Sequence, residues 1–161
     1  MKLHIAVAVA LAATVLTSLA QSSGNITISG TVANNTSITV TPTAGYNSLD
    51  IAAGETDKDV AAVNERSNKR DGYTVELQSA NAGTGTQAYL GGTGGNTDVV
   101  NYSMKYNGVA VTLSGGKATV TNVAARTPGT GVDKNLSVTL AAAWVNTDTY
   151  SDTLTLTIAA K

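Results

Sequence analysis

Thr153-Leu154-Thr155-Leu156-Thr157-Ile158, near the end of the chain, decides the fold class. Leu154, Leu156 and Ile158 fall on one side of an extended backbone and the threonines on the other. Successive side chains of a strand point to opposite faces, so this alternation describes a strand with one face in a core and one in water. The same period recurs toward the N-terminus. Ser37-Ile38-Thr39-Val40-Thr41 is stopped by Pro42, and Gly72-Tyr73-Thr74-Val75-Glu76-Leu77 aligns Tyr73, Val75 and Leu77. Val99 to Tyr106 runs into Asn107-Gly108 and then Val109 to Leu113, and Asn-Gly is the strongest short hairpin signal because both residues tolerate positive φ. Ser114-Gly115-Gly116 turns the chain into Lys117 to Val123, and Leu136 to Leu140 supplies a further strand. The 25 threonines sit among valine, leucine and isoleucine, the composition of half-buried strands. Short strands separated by Gly, Asn and Asp turns predict an all-β fold, a β-sandwich.

Composition narrows function mainly by exclusion. The 161 residues carry a formal net charge of −1, with 13% charged and 4% aromatic residues. Such a sparsely charged chain is poorly suited to electrostatic binding of nucleic acid or of an anionic membrane. The absence of cysteine removes disulfides, thiolate nucleophiles and cysteine-ligated zinc. The first twenty residues read as a secretory signal: Lys2 gives a positive start, Ile5 to Leu16 an apolar run, and Ser18-Leu19-Ala20 a cleavage site. The run is shorter than the roughly 20 residues that a bilayer-spanning helix needs. Cleavage after Ala20 leaves about 141 residues beginning at Gln21, with a charge near −2 and without His4, the single histidine. Imidazole bases and imidazole metal ligands leave with it.

No catalytic constellation is visible in what remains. The eleven acidic residues are scattered, and the serines have no histidine partner, so the chain is expected not to be an enzyme. Asp50, Glu55, Asp57 and Asp59 around Gly54 are the densest acidic group but lack the spacing of a calcium loop. Gly91-Gly92-Thr93-Gly94-Gly95 is glycine-rich without the Lys-Ser/Thr ending of a phosphate loop. Neither a metal nor a cofactor is expected. Residues 82–98, with six glycines between Gly83 and Gly95, predict a mobile surface loop, and the mixed-charge stretch 64–71 predicts a solvated turn or edge. Tyr73, Tyr102, Tyr106 and Tyr150 are expected in the core, and so is Trp144.

The two ends of the chain do not match. The apolar strand before Lys161 reads as the penultimate strand of an immunoglobulin-like sandwich, which a last strand would close. Ahead of the strand at Ser37 stands an additional alternating segment, Asn25-Ile26-Thr27-Ile28-Ser29-Gly30-Thr31-Val32, with Ile26, Ile28 and Val32 on one face and Gly30 between them. Fully extended it spans about 26 Å, comparable to the strand Tyr150–Ile158 beside which it would lie.

In these features the chain resembles the chaperone–usher pilins, specifically the cysteine-less α-type fimbrial major subunits and the related spore-coat-U-like family. The resemblance rests on Gly24-Asn25-Ile26-Thr27-Ile28, on Gly72-Tyr73-Thr74-Val75 ahead of the turn Ser79-Ala80-Asn81, and on Asn101-Tyr102-Ser103-Met104-Lys105-Tyr106. The ending Thr149-Tyr150-Ser151-Asp152-Thr153-Leu154-Thr155-Leu156-Thr157-Ile158 is its most specific part. The resemblance implies an incomplete immunoglobulin-like sandwich whose missing strand comes from the N-terminal extension of a neighbour, recognition by strand addition. It implies a signal peptide over 1–20, a donor extension over 21–32 and a pilin domain over 33–161. Asn25 to Val32 would then be the donor strand, and Ile38, Val40, Leu154, Leu156 and Ile158 would line the acceptor groove. The implied partners are identical subunits arranged head to tail in a filament, a periplasmic chaperone and an outer-membrane usher. The implied place is the cell surface, as an extracellular fimbria serving adhesion or biofilm formation. Two alternatives stand beside this expectation: a complete monomeric sandwich that binds a host or surface glycan, and a spore-coat or matrix protein of the same fold.

Overall fold

The computed structural model describes Ser23–Lys161; the expected signal segment 1–20 lies outside the described residues. The chain divides into two units, one ending at Val32 and the other Ala33–Lys161. Residues 23–32 form no strand, and Ile26, Ile28 and Val32 are 87%, 90% and 90% exposed.

The second unit is a β-sandwich of ten strands, with no helix among the described residues: β1 Thr36–Pro42, β2 Glu55–Ser67, β3 Tyr73–Ser79, β4 Ala88–Gly92, β5 Val99–Tyr106, β6 Val109–Val111, β7 Lys117–Val123, β8 Val132–Leu140, β9 Tyr150–Ser151 and β10 Leu154–Ala160. One sheet runs β1-β2-β8-β5-β4-β9, with β6 beside β5, and the other runs β10-β3-β7. Neighbouring strands are antiparallel throughout. The core lies between the sheets and is built from alternate residues: Leu77 of β3 packs in one cluster with Val63 of β2, Tyr102, Met104 and Tyr106 of β5, and Leu136, Val138 and Leu140 of β8, and Val75 of β3 is wholly buried.

The Asn-Gly signal is realised as a two-residue hairpin joining β5 to β6. Asn107 and Gly108 take φ of 50° and 78°, and Tyr106 pairs with Val109. Four expectations are corrected. The stretch 64–71 begins inside β2, where Glu65 and Ser67 point inward and are buried, because hydroxyl groups in the core satisfy them. The stretch 82–98 contains β4, whose Ala88 and Leu90 are buried; it is held by β5 on one side and by Asn81, which donates to the Tyr89 and Ser151 carbonyls. Trp144 is fully exposed. Its neighbours Ala143 and Val145 pack against the core, so the alternation leaves Trp144 on the outward side. Finally, the single strand expected over Tyr150–Ile158 is divided, β9 belonging to the first sheet and β10 to the second, with Asp152 at the corner.

Candidate interaction groove

Each rim of the groove is a sheet edge. β1 pairs only with β2 and β10 only with β3, although β1 and β10 run close to one another across the sandwich. A strand with one ladder partner presents a row of unpaired N–H and C=O groups along its other side. The groove opens onto a cavity of about 300 Å³ whose walls are mostly apolar. Val40 and Pro42 line it from β1, Leu154 and Leu156 from β10, and Tyr46 and Leu49 from the connection between β1 and β2. Its floor is Val60, Ala61, Leu90, Leu136 and Val138.

The burial gradient shows what these side chains lack. Val75 and Leu77 in β3, flanked by a strand on each side, are wholly buried. Leu156 and Ile158 of β10, directly opposite them in the ladder, are only half-buried. Val40 is 43% exposed. Both strands alternate correctly, so the uncovered area comes from the space between β1 and β10 and not from a fault in register. A strand lying there would remove apolar surface from water at roughly 25 cal/mol per Å².

Of the five residues expected to line a groove, Val40, Leu154 and Leu156 face the cavity. Ile38 is half-buried against the core, opposite Glu65 in the β1–β2 ladder, and Ile158 sits half-buried opposite Val75; neither belongs to the cavity wall. Asn25, Ile26, Thr27, Ile28, Ser29, Gly30, Thr31 and Val32 all have exposed side chains or, for Gly30, an exposed backbone.

One end of the cavity is polar, a feature that sequence reasoning missed. Asp152 lines it, and its Oδ2 accepts from Ser79 Oγ at 2.6 Å and Tyr102 OH at 2.6 Å. Its Oδ1 accepts from the backbone N–H groups of Asn81 at 3.0 Å and Thr153 at 2.7 Å. Ser79 belongs to one sheet and Tyr102 to the other, so the carboxylate ties the two sheets at the corner between β9 and β10. Burial, and after it the hydrogen bond to Asp152, pushes the Tyr102 phenol far above its usual range.

A second carboxylate bridges the sheets farther into the core. Glu65 Oε1 accepts from Tyr106 OH at 2.6 Å and Thr121 Oγ1 at 2.7 Å, and its Oε2 accepts from Tyr73 OH at 2.9 Å. Burial, then the hydrogen bond to Glu65, pushes both phenols well upward. Glu65 lies on β2, whereas Tyr106 is on β5, two strands away in the same sheet, and Tyr73 is on β3 of the opposite sheet, so neither node can be read without the tertiary arrangement of the strands.

The acidic group around Gly54 is dispersed among separate tasks. Asp57 pairs with Lys105 at 2.7 Å, Asp59 accepts from Asn135 Nδ2 at 2.8 Å, and Asp50 accepts from the Ala53 N–H at 2.9 Å. Lys105 holds the Asp57 carboxyl below the usual range. Among the described residues no group of three or more His, Cys, Asp or Glu is arranged to hold a metal. The chain matches no family model and no curated protein.

Proposed function

We propose that this chain is a non-enzymatic structural subunit of a bacterial surface fibre, and that residues Asn25–Val32 of one copy enter the β1–β10 groove of the next. The observation that carries this reading is the pairing of two unmet needs. An apolar groove lies between two free strand edges, and an alternating apolar segment stands exposed in the same sequence. Burying Ile26, Ile28 and Val32 would contribute about 1.5–3 kcal/mol each. Each ladder hydrogen bond gained would add about 0.5–1.5 kcal/mol net. The contact uses different surfaces on its two sides, so it does not close on itself and propagates as a filament. Before assembly the open edge is an aggregation hazard, which calls for a periplasmic chaperone to cover it and an outer-membrane usher to exchange it. On this reading the chain belongs with the chaperone–usher pilins that its motifs resemble, and it reaches the surface through the periplasm.

Two substitutions test the donor. Gly30 has no atom within 4 Å of where a Cβ would stand, so Gly30→Leu leaves the free chain untouched and acts only when the segment is enclosed. Ile28→Asp places a charge on the face to be buried. Unheated SDS gels of surface material should show a heat-sensitive ladder for the wild type and a loss of that ladder for both variants. Wild-type ladders from both would remove the donor assignment.

A second reading, a module that binds a surface glycan, is favoured by Trp144. The flanking backbone is held by the bond from Ala143 N–H to Ile51 O at 2.9 Å and from Asn146 N–H to Asp98 Oδ2 at 2.8 Å, and the indole between them is fully exposed to water. If that reading is right, Trp144→Ala abolishes glycan binding while leaving any ladder intact.

A further inference from the structure

The connector between the exposed segment and β1 is short and rich in turn-forming residues. Ala33-Asn34-Asn35 joins Val32 to the first residue of β1, Thr36. Asparagine tolerates the left-handed conformation that a two-residue hairpin demands, and hairpin loops of two to five residues are the commonest. A reversal at Asn34–Asn35 would lay Asn25–Val32 antiparallel along the free edge of β1 in the same molecule. It would fill the molecule's own groove.

The structure holds the connector open. None of Ala33, Asn34 and Asn35 has positive φ. Asn68, one residue past the end of β2, makes three hydrogen bonds to the connector. Its Nδ2 donates to Ala33 O at 2.8 Å, its Oδ1 accepts from Asn35 N–H at 2.8 Å, and its own backbone N–H donates to Asn35 O at 3.0 Å. These continue the β1–β2 ladder beyond the pair Thr36–Ser67, the side-chain amide standing in for a further residue of the strand. Thr36 Oγ1 donates to Asn34 Oδ1 at 3.0 Å, which engages the side chain that a turn would need elsewhere.

We infer that Asn68 is a positioning residue that directs Asn25–Val32 to a neighbouring copy by holding Ala33–Asn35 extended, so that the segment does not fold back into its own groove. This rests on the donated-strand reading and adds to it the choice between self and neighbour. Without the clamp, the intramolecular route competes at an effective concentration set by a three-residue linker, which favours it strongly.

The test uses the full chain, refolded at low concentration and then concentrated. The variants are Asn68→Ala, which removes the side-chain bonds, and Asn35→Gly, which leaves Asn68 in place and writes an Asn-Gly turn into the connector. The readouts are the ladder on unheated gels, the susceptibility of residues 23–32 to a non-specific protease in the monomer fraction, and the melting temperature of that fraction. Wild type should give a monomer with a cleavable segment that forms a ladder when concentrated. Both variants should raise the ratio of protease-protected monomer to ladder about tenfold, the change produced by removing a bias of about 1.4 kcal/mol. Their monomers should melt higher than the wild-type monomer, an outcome that simple damage to the fold does not give. An unchanged ratio in both variants overturns the role of Asn68 while the donated strand stands. A ladder that also survives deletion of residues 23–32 overturns both.

Discussion

Glu65 is wholly buried, is bonded by three hydroxyls, and takes part in none of the ion pairs among the described residues. Glu65→Gln turns one acceptor into a donor facing hydroxyls already committed to donating, and should lower stability by about 1–3 kcal/mol in urea titrations. Glu65→Leu should be worse, and adding Tyr73→Phe and Tyr106→Phe should recover part of the loss, because removing both sides of a buried bond costs less than removing one. The phenols also make an alkaline limit. Tyr73, Tyr102 and Tyr106 are held above their unfolded value near 10, so the folded state binds their protons more tightly than the unfolded state does. The stability they contribute is complete below about pH 10 and falls as pH rises beyond it. Urea midpoints should therefore hold up to about pH 10 and drop steadily as the pH is raised from there toward about 12, and a flat profile over that range would contradict the buried-phenol assignment. At this scale the sequence was only partly legible. Tyr73, Tyr102 and Tyr106 lie in the core as expected, whereas Trp144 does not, because the apolar residues on either side of it, Ala143 and Val145, take the inward positions.

β10 was legible because its period is uninterrupted and its outward positions are threonines. β2, the longest strand, was not. Its first half is broken by register shifts around Asp57, which has a φ of 49°, and its second half puts Glu65 and Ser67 where apolar residues would have marked the pattern. β4 was hidden by glycines that belong to a strand fixed by its neighbours and not by its own side chains. The turn into β3 depends on one residue. Gly72 has a φ of 90°, and a Cβ there would collide with the Val123 carbonyl at the end of β7. Gly72→Ala should destabilise by about 2 kcal/mol or more, from the left-handed backbone together with displacement of β7. A thermal melt within a degree or so of wild type would show that the turn can relax.

Among the described residues, an uncovered apolar channel lies between the edges of the two sheets, and the segment Asn25–Val32 carries uncovered apolar side chains. The segment could be picked out from alternation alone, and so could Val40, Leu154 and Leu156. The channel could not, because it arises where the edges of two different sheets meet, and strand order is a property of the tertiary fold. For the same reason Tyr46, Leu49 and the Asp152 end of the channel came only from the structure.

In a fibre built by strand donation, donor and acceptor are separate surfaces that join in one direction only. Mixing two variants separates them: one lacking residues 23–32, which keeps the groove, and Leu156→Asp, which keeps the segment and spoils the groove. Each alone should remain monomeric by size exclusion and on unheated gels. Their mixture should give a single heat-sensitive heterodimer and nothing longer. Longer oligomers, or no dimer from two variants that are folded by circular dichroism, would contradict it.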